Sequence, residues 1–338
     1  MPANLTPEYK AAESAFRKAR EPKERLECLR EMLRVIPKHK GTDHLQADIK
    51  TRIKQLTEEL AGPKKGGARG GPATVIRPEG AAQLALVGLP NTGKSSLHAA
   101  LTGSNAPDGP YPFTTQFPQP GMLPHQDIHF QLVDLPPVSP DYPVPWLANA
   151  LQPADGCLLV VDLGDPACVD GVLVLHELLG KKRVTLGANW SNAGRNSEEE
   201  DDDPFAIRLP TLLLANKADK IPRLEDELAV FQELTNLDYP SLALSAKTGY
   251  GLDRIGPWLF AHLGVVRVYT KAPGRPPDKD KPFTVRRGDT VLDVATLVHK
   301  EIAQALKYAR LWGRGHFSGQ QVGREHAVAD GDIIELHT

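Results

Sequence analysis

At 338 residues the chain is long for one domain and suits two or three, with ample length to bury a core. Its 40 Lys+Arg nearly balance its 42 Asp+Glu, and three scattered cysteines (Cys28, Cys157, Cys168) form no CxxC or Cys/His cluster. This argues against a disulfide framework or a zinc site and for a reduced, cytoplasmic chain, as does an N-terminus without the basic and apolar regions of a secretory signal. No apolar run approaches the ~18–20 residues that would span a bilayer. Charge is uneven: about +3 over 1–62, about +3 over 63–80, about −11 over 81–266 and about +3 over 267–338, which hints that the ends meet an anionic partner.

In chain order, a short helix is expected around Tyr9–Arg20. Leu26, Leu29, Leu33 and Ile36 form one helical stripe, and Leu45, Ile49, Ile53, Leu56 and Leu60 form another. Pro37 and Gly41 part them, and Thr42 or Asp43 is the expected N-cap of the second. These residues (1–62) predict a helical hairpin, followed by a basic, Gly-rich linker over 63–80.

From residue 81 short apolar strands alternate with helical segments: 83–88, 128–134, 156–163, 210–216 and 240–246. Such near-continuous apolar runs predict parallel strands in a doubly wound α/β sheet. The acidic tract 191–204 reads as an insertion in this domain (81–266). A small unit over 267–338 follows, with a strand at 283–287, a helix at 291–305 and short strands closing on IIELH. A helix cradled by a small mixed sheet is a β-grasp arrangement.

The motifs sit at strand ends. QLALVG runs into GLPNTGKSS (88–96), which satisfies G-x-x-x-x-G-K-[ST]: backbone N–H groups wrap phosphates, Lys94 reaches the β- and γ-phosphates, and Ser95 ligates Mg²⁺. Gly88, Asn91, Thr92, Gly93 and Ser96 complete this candidate P-loop. Asn216, Lys217 and Asp219 end another strand. A carboxylate there accepts N1–H and the exocyclic amine of guanine, whereas adenine would leave it unpaired, which argues against an ATPase. Ser245, Ala246 and Lys247 end a third strand, where a backbone N–H is expected to meet guanine O6. PYPFTTQFP (110–118) offers a threonine to complete the Mg²⁺ shell, and Asp134 is placed to hold the metal through water. The ligands expected from these motifs are GTP and GDP.

The order GLPNTGKSS, YPFTT, DLPP, NKAD, SAK resembles the Obg superfamily of GTPases. The run VRVYTKAPGRPPD…LVHKEI…KYARLWG…VGREHAVADGDIIEL resembles the TGS domain of the developmentally regulated GTP-binding protein family, and HKGTDHLQADIKTRIKQLTEEL its N-terminal helices. The likeness spans nearly the whole chain. It implies a P-loop (Ras-like) G domain with an N-terminal helical hairpin and a C-terminal β-grasp TGS domain. It also implies Thr115, rather than Thr114, as the switch I ligand, and association with ribosomes or RNA, often through a regulatory protein partner. Lys307, Tyr308, Arg310, Trp312, Arg314 and His316 are candidates for RNA contact, or else partly fill the small core. Asn91 is a candidate for binding K⁺ in place of an arginine finger, or for shaping the loop alone.

Two departures stand out. The family's extra insertion in the G domain is missing, and Pro137 stands where the family has the glycine of DxPG. Proline has no N–H to offer the γ-phosphate, so the preference for GTP over GDP is expected to be blunted. Val138 occupies the place where Ras-like enzymes carry the glutamine that orients water. Slow hydrolysis with Lys94, Thr115 and Asn91 in catalytic roles is the leading expectation, and a nucleotide-binding scaffold with little turnover is the alternative. From Pro136 to about Trp146 the proline-rich segment is expected to be extended and stiff.

Overall fold

The computed structural model describes residues 5–19, 22–61, 74–104, 115–191, 203, 205–278, 280–313 and 317–338. Most of the 63–80 linker and of the 191–204 tract, together with Thr114, Arg314 and His316, lie outside them.

Three helices open the chain: α1 (Pro7–Lys18), capped by the Thr6 hydroxyl with Pro7 in its first turn, α2 (Pro22–Val35) and α3 (Asp43–Ala61). Neither Thr42 nor Asp43 caps α3 directly. Instead His39 caps a 3₁₀ turn over Lys40–Thr42, and the buried Thr42 hydroxyl bonds the Pro37 and His39 carbonyls. Tyr9, Phe16, Leu29, Met32 and Ile49 form the helices' own core, and Phe205 of the G domain inserts into it. Arg183 beyond the helices pairs with Asp48 of α3 at 2.9 Å.

The G domain runs β1 (Gln83–Gly88), α4 (Lys94–Thr102), β2 (Gln119–His125), β3 (Ile128–Asp134), α5 (Leu147–Leu151), β4 (Gly156–Asp162), α6 (Cys168–Gly180), β5 (Val184–Gly187), β6 (Ile207–Asn216), α7 (Leu224–Thr235), β7 (Ser241–Ala243) and α8 (Ile255–His262). Strand order is β2-β3-β1-β4-β6-β5, with β7 also on β6, and every pairing is parallel except β2 with β3. The largely apolar β1, β4 and the end of β6 are buried on both faces, between one cluster around Val87, Leu159 and Leu213 and another around Leu86, Leu158 and Leu214. The parallel strands β1, β3, β4 and β6 therefore deliver their C-terminal residues to the same sheet edge: Gly88, Asp134, Asp162 and Asn216.

The C-terminal domain holds β8 (Val265–Thr270), β9 (Phe283–Arg286), α9 (Val291–Val298), α10 (Lys300–Ala305), β10 (Tyr308–Trp312), β11 (Gln320–Val322) and β12 (Asp332–His337) in the order β11-β10-β12-β8-β9. The single helix expected over 291–305 is two, because His299 is extended (φ −168°, ψ 136°) and its ring accepts from Glu301 N–H to start α10. Val291, Val294 and Ala295 of α9 pack under Val268, Leu311 and Ile334. Two arginines fasten this domain to the G domain. Arg286 pairs with the buried Asp155 at 3.0 Å, while Arg267 pairs with Asp127 of the β2–β3 turn at 2.9 Å and lies over the Phe260 ring. Among the described residues no helix is long and apolar enough to cross a membrane.

Candidate nucleotide site

The turn from β1 into α4 is built by close approach. A Cβ on Gly88 would lie 2.4 Å from the Val160 carbonyl oxygen, and one on Gly93 (φ +85°) would lie 2.5 Å from the Asn216 amide. The loop therefore packs closely on its neighbours at both glycines. Lys94 is buried, and its ammonium donates to the Leu89 carbonyl (3.1 Å) and the Gly88 carbonyl (3.3 Å). Burial pushes its pKa down to about 8, and the Asp134 charge partly opposes this. Thr92 is buried on the Leu89 carbonyl, and Ser96 is exposed on the first turn of α4.

Three oxygens from three elements meet beside Lys94. Ser95 Oγ donates to Asp134 Oδ2 at 2.6 Å, Thr115 Oγ1 donates to the same oxygen at 3.1 Å, and the two hydroxyls are 2.9 Å apart. Asp134 Oδ1 is buried without a hydrogen-bond partner. Two hydroxyls and a carboxylate with an unused oxygen are a hard, oxygen-only donor set, and they fit Mg²⁺. When bound, the ion would be held by Ser95 and Thr115, with Asp134 behind them, and would supply positive charge beside the phosphates.

The base-side motif is stitched to the P-loop. Asn216 Nδ2 donates to the Thr92 carbonyl (2.9 Å), and Lys217, left-handed at φ 60°, donates to the Asn91 carbonyl (2.7 Å) and to Asp162 Oδ2 (2.7 Å). Asn216 and Lys217 thus fix the loop, and Asp219 beside them is exposed. The Ser245 hydroxyl, donating to Asp219 Oδ1 at 2.6 Å, holds that carboxyl below the usual range. Ser245 itself is fully buried, and Lys247 is exposed next to it. Ala246 N–H donates to Asn216 Oδ1 at 3.1 Å. Asp162 escaped the sequence reading, although the signal was there. It ends its strand opposite Asn216, so a carboxylate was due beside the next residue, Lys217.

The segment after Asp134 also differs from expectation. Pro136 and Pro137 are buried, and Val138 N–H donates to the Gly88 carbonyl at 3.1 Å, continuing the β1 side of the ladder. The Val138 side chain joins the core and turns away from the phosphate site. The chain is not extended as far as Trp146, because Tyr142 N–H bonds the Ser139 carbonyl at 3.3 Å and closes a turn. Pro140 sits second in that turn, where its fixed φ favours bending over extension. Asn91 is exposed and left-handed (φ 62°), a conformation that asparagine tolerates better than most residues.

A second surface lies on the outer face of the C-terminal sheet. Tyr308, Arg310 and Trp312 alternate with the buried Ala309 and Leu311; Tyr308 stacks on His337 at 4.6 Å, and Lys271 sits 4.1 Å over Trp312. None of the three fills the core, and Lys307 is exposed next to them.

Comparison with known proteins agrees with this geometry. Residues 83–189 match the 50S ribosome-binding GTPase family, and residues 266–338 match the TGS domain. An uncharacterized GTP-binding protein of Methanocaldococcus jannaschii is 27% identical over 93% of this chain and 92% of its own. Developmentally-regulated G-protein 1 of Arabidopsis thaliana is 25% identical over 88% of this chain and 87% of its own. In fold, the chain is similar to the YchF GTPase of Schizosaccharomyces pombe (TM-score 0.52, 14% identity, 78% of this chain and 100% of that one). A GTP binding protein of Pyrococcus horikoshii OT3 is similar at TM-score 0.50 and 17% identity, over 76% of this chain and 99% of that one. The chain is a GTP-binding protein with a P-loop G domain and a C-terminal TGS domain, similar over most of its length to developmentally-regulated G-proteins.

Proposed function

We propose that the chain hydrolyses GTP slowly in the cytoplasm, as a regulatory or assembly factor that meets ribosomes or RNA. The observation that carries the enzymatic part is the meeting of Ser95, Thr115 and Asp134 beside Lys94. A protein that only held nucleotide would have no need of a complete metal shell. Lys94 and the α4 N-terminus bind the phosphates, and Thr115 and Asn91 border the γ-phosphate position. The aromatic and basic face of the TGS sheet (Tyr308, Arg310, Trp312) and the basic N-terminal region support contact with RNA. A regulatory protein partner is the simplest means of supplying what Pro137 lacks. K⁺ held near Asn91 is the second candidate.

One observation favours a scaffold with little or no turnover. Pro136 and Pro137 have no N–H to give, and the next one, on Val138, is committed to the Gly88 carbonyl. Single-turnover hydrolysis by the full chain in KCl and in NaCl, beside Lys94→Ala, separates the readings. The expected result is slow turnover, about tenfold faster in K⁺ and absent from the variant, equivalent to ~1.4 kcal/mol of barrier. Tight GTP binding with no turnover above the variant in either salt would establish the scaffold reading instead.

A further inference from the structure

A cleft between the N-terminal helices and α5 is lined by two arginines, Arg25 and Arg52, that form no ion pair with a carboxylate among the described residues. Arg25 of α2 lies over the Phe16 ring (4.4 Å to its centre) and donates to the Ala19 carbonyl at 3.1 Å. Arg52 of α3 lies over the Phe205 ring at 4.2 Å. Neither guanidinium is ion-paired with a carboxylate among the described residues; Asp48 and Asp203, whose charges partly offset the burial of Arg52, both pair with Arg183, at 2.9 and 3.5 Å. Burial, and then the charge of Arg52, pull the Arg25 pKa down to about 10, so it stays charged at neutral pH. Gln55, Asn149 and Gln152 line the remaining wall, and two adjoining cavities of about 70 and about 200 Å³ share these amides and Arg52.

Two guanidinium groups held near one another, partly desolvated and with no described carboxylate in ion-pair contact, are stabilised when an anion joins them. Stacking on the rings fixes their planes and leaves N–H edges free for planar, bidentate donation. The number of unused donors exceeds what one carboxylate accepts and suits the oxygens of a phosphate, with the three amides as further neutral donors. We propose that this cleft binds a phosphate group, presented either by an RNA backbone or by a small phosphorylated molecule. The bound group ties the N-terminal helices to α5, the first helix after Pro137. This site is separate from the P-loop and does not depend on the hydrolytic reading.

The test uses the full chain saturated with GDP and Mg²⁺, so that the P-loop is filled, and reads the arginine Nε–H signals by NMR. Inorganic phosphate and a short single-stranded RNA are titrated separately. The expected result is saturable movement of the Arg25 and Arg52 signals. Arg25→Gln and Arg52→Gln should each weaken binding about tenfold without changing GDP affinity. Asn149→Asp, which adds a negative charge opposite the arginines and leaves both ring stacks intact, should weaken it similarly. Saturation by phosphate alone supports a small-molecule ligand, and tighter saturation by RNA supports the backbone. If neither probe moves these signals, or if all three variants bind as the wild type does, the proposal is overturned.

Discussion

Asp219→Asn is expected to lose GTP and gain xanthosine triphosphate. On the proposed assignment the carboxylate of Asp219 accepts two charge-assisted hydrogen bonds from guanine, so GTP affinity should fall about a hundredfold or more. The Ser245 hydroxyl already donates to Oδ1. In the variant that oxygen keeps its donor, and the amide nitrogen takes the place of Oδ2, facing the base. Guanine then presents donors to a donor, whereas xanthine presents a carbonyl. Asp219 is exposed, so the fold should not suffer. Competition between the two nucleotides for the variant measures the exchange, and an unchanged preference for GTP would refute the assignment of Asp219 to the base.

Lys94→Ala has a comparably large effect with an opposite sign in stability. Without the buried ammonium, GTP affinity should drop about a hundredfold or more and hydrolysis should vanish. The nucleotide-free protein should nevertheless become no less stable near neutral pH, because it no longer buries a charge on the Gly88 and Leu89 carbonyls. The folded-state pKa of Lys94 is about 8, against 10.5 for the unfolded chain. Between these values the unfolded state holds a proton that the folded state lacks, so wild-type stability contains a contribution that rises with pH across that window. Lys94→Ala loses that rise. By the same linkage, GTP binding above about pH 8 takes up a proton and weakens as pH increases. Melting nucleotide-free wild type and variant on both sides of pH 8 checks the sign, and a difference that does not vary with pH would contradict it.

The parts of the site legible in the sequence were those that the sheet itself places. β1, β3, β4 and β6 are largely apolar runs, and β1, β3 and β6 end on motif residues, so the P-loop, Asp134 and the Asn216 motif were brought to one edge by strand order alone. What escaped lies where local signals are weak or cancel. β2 reads QPGMLPH, and its prolines and glycine hide a strand that survives because it is an edge, paired on one side by β3. β5 has four residues, too few for a pattern, and β8 adjoins a Pro-rich stretch that masked it. The bonds from Lys217 to Asp162 and from Val138 N–H to Gly88 join residues that are distant in the chain, and no window of sequence contains them. His299 splits its helix because the following turn needs a cap, a choice settled by packing under β10 and β12 rather than by helix propensity.

The proposed blunting of the trigger by Pro137 is measured most directly by the affinities of GTP and GDP for wild type and Pro137→Gly. Wild type should bind the two nucleotides within about tenfold of each other. Glycine at 137 restores an N–H to the γ-phosphate and should raise the preference for GTP about tenfold to a hundredfold, with GDP affinity unchanged as the control on folding. A wild-type preference for GTP of about a thousandfold, or a ratio that Pro137→Gly leaves where it was, would contradict this role for the proline.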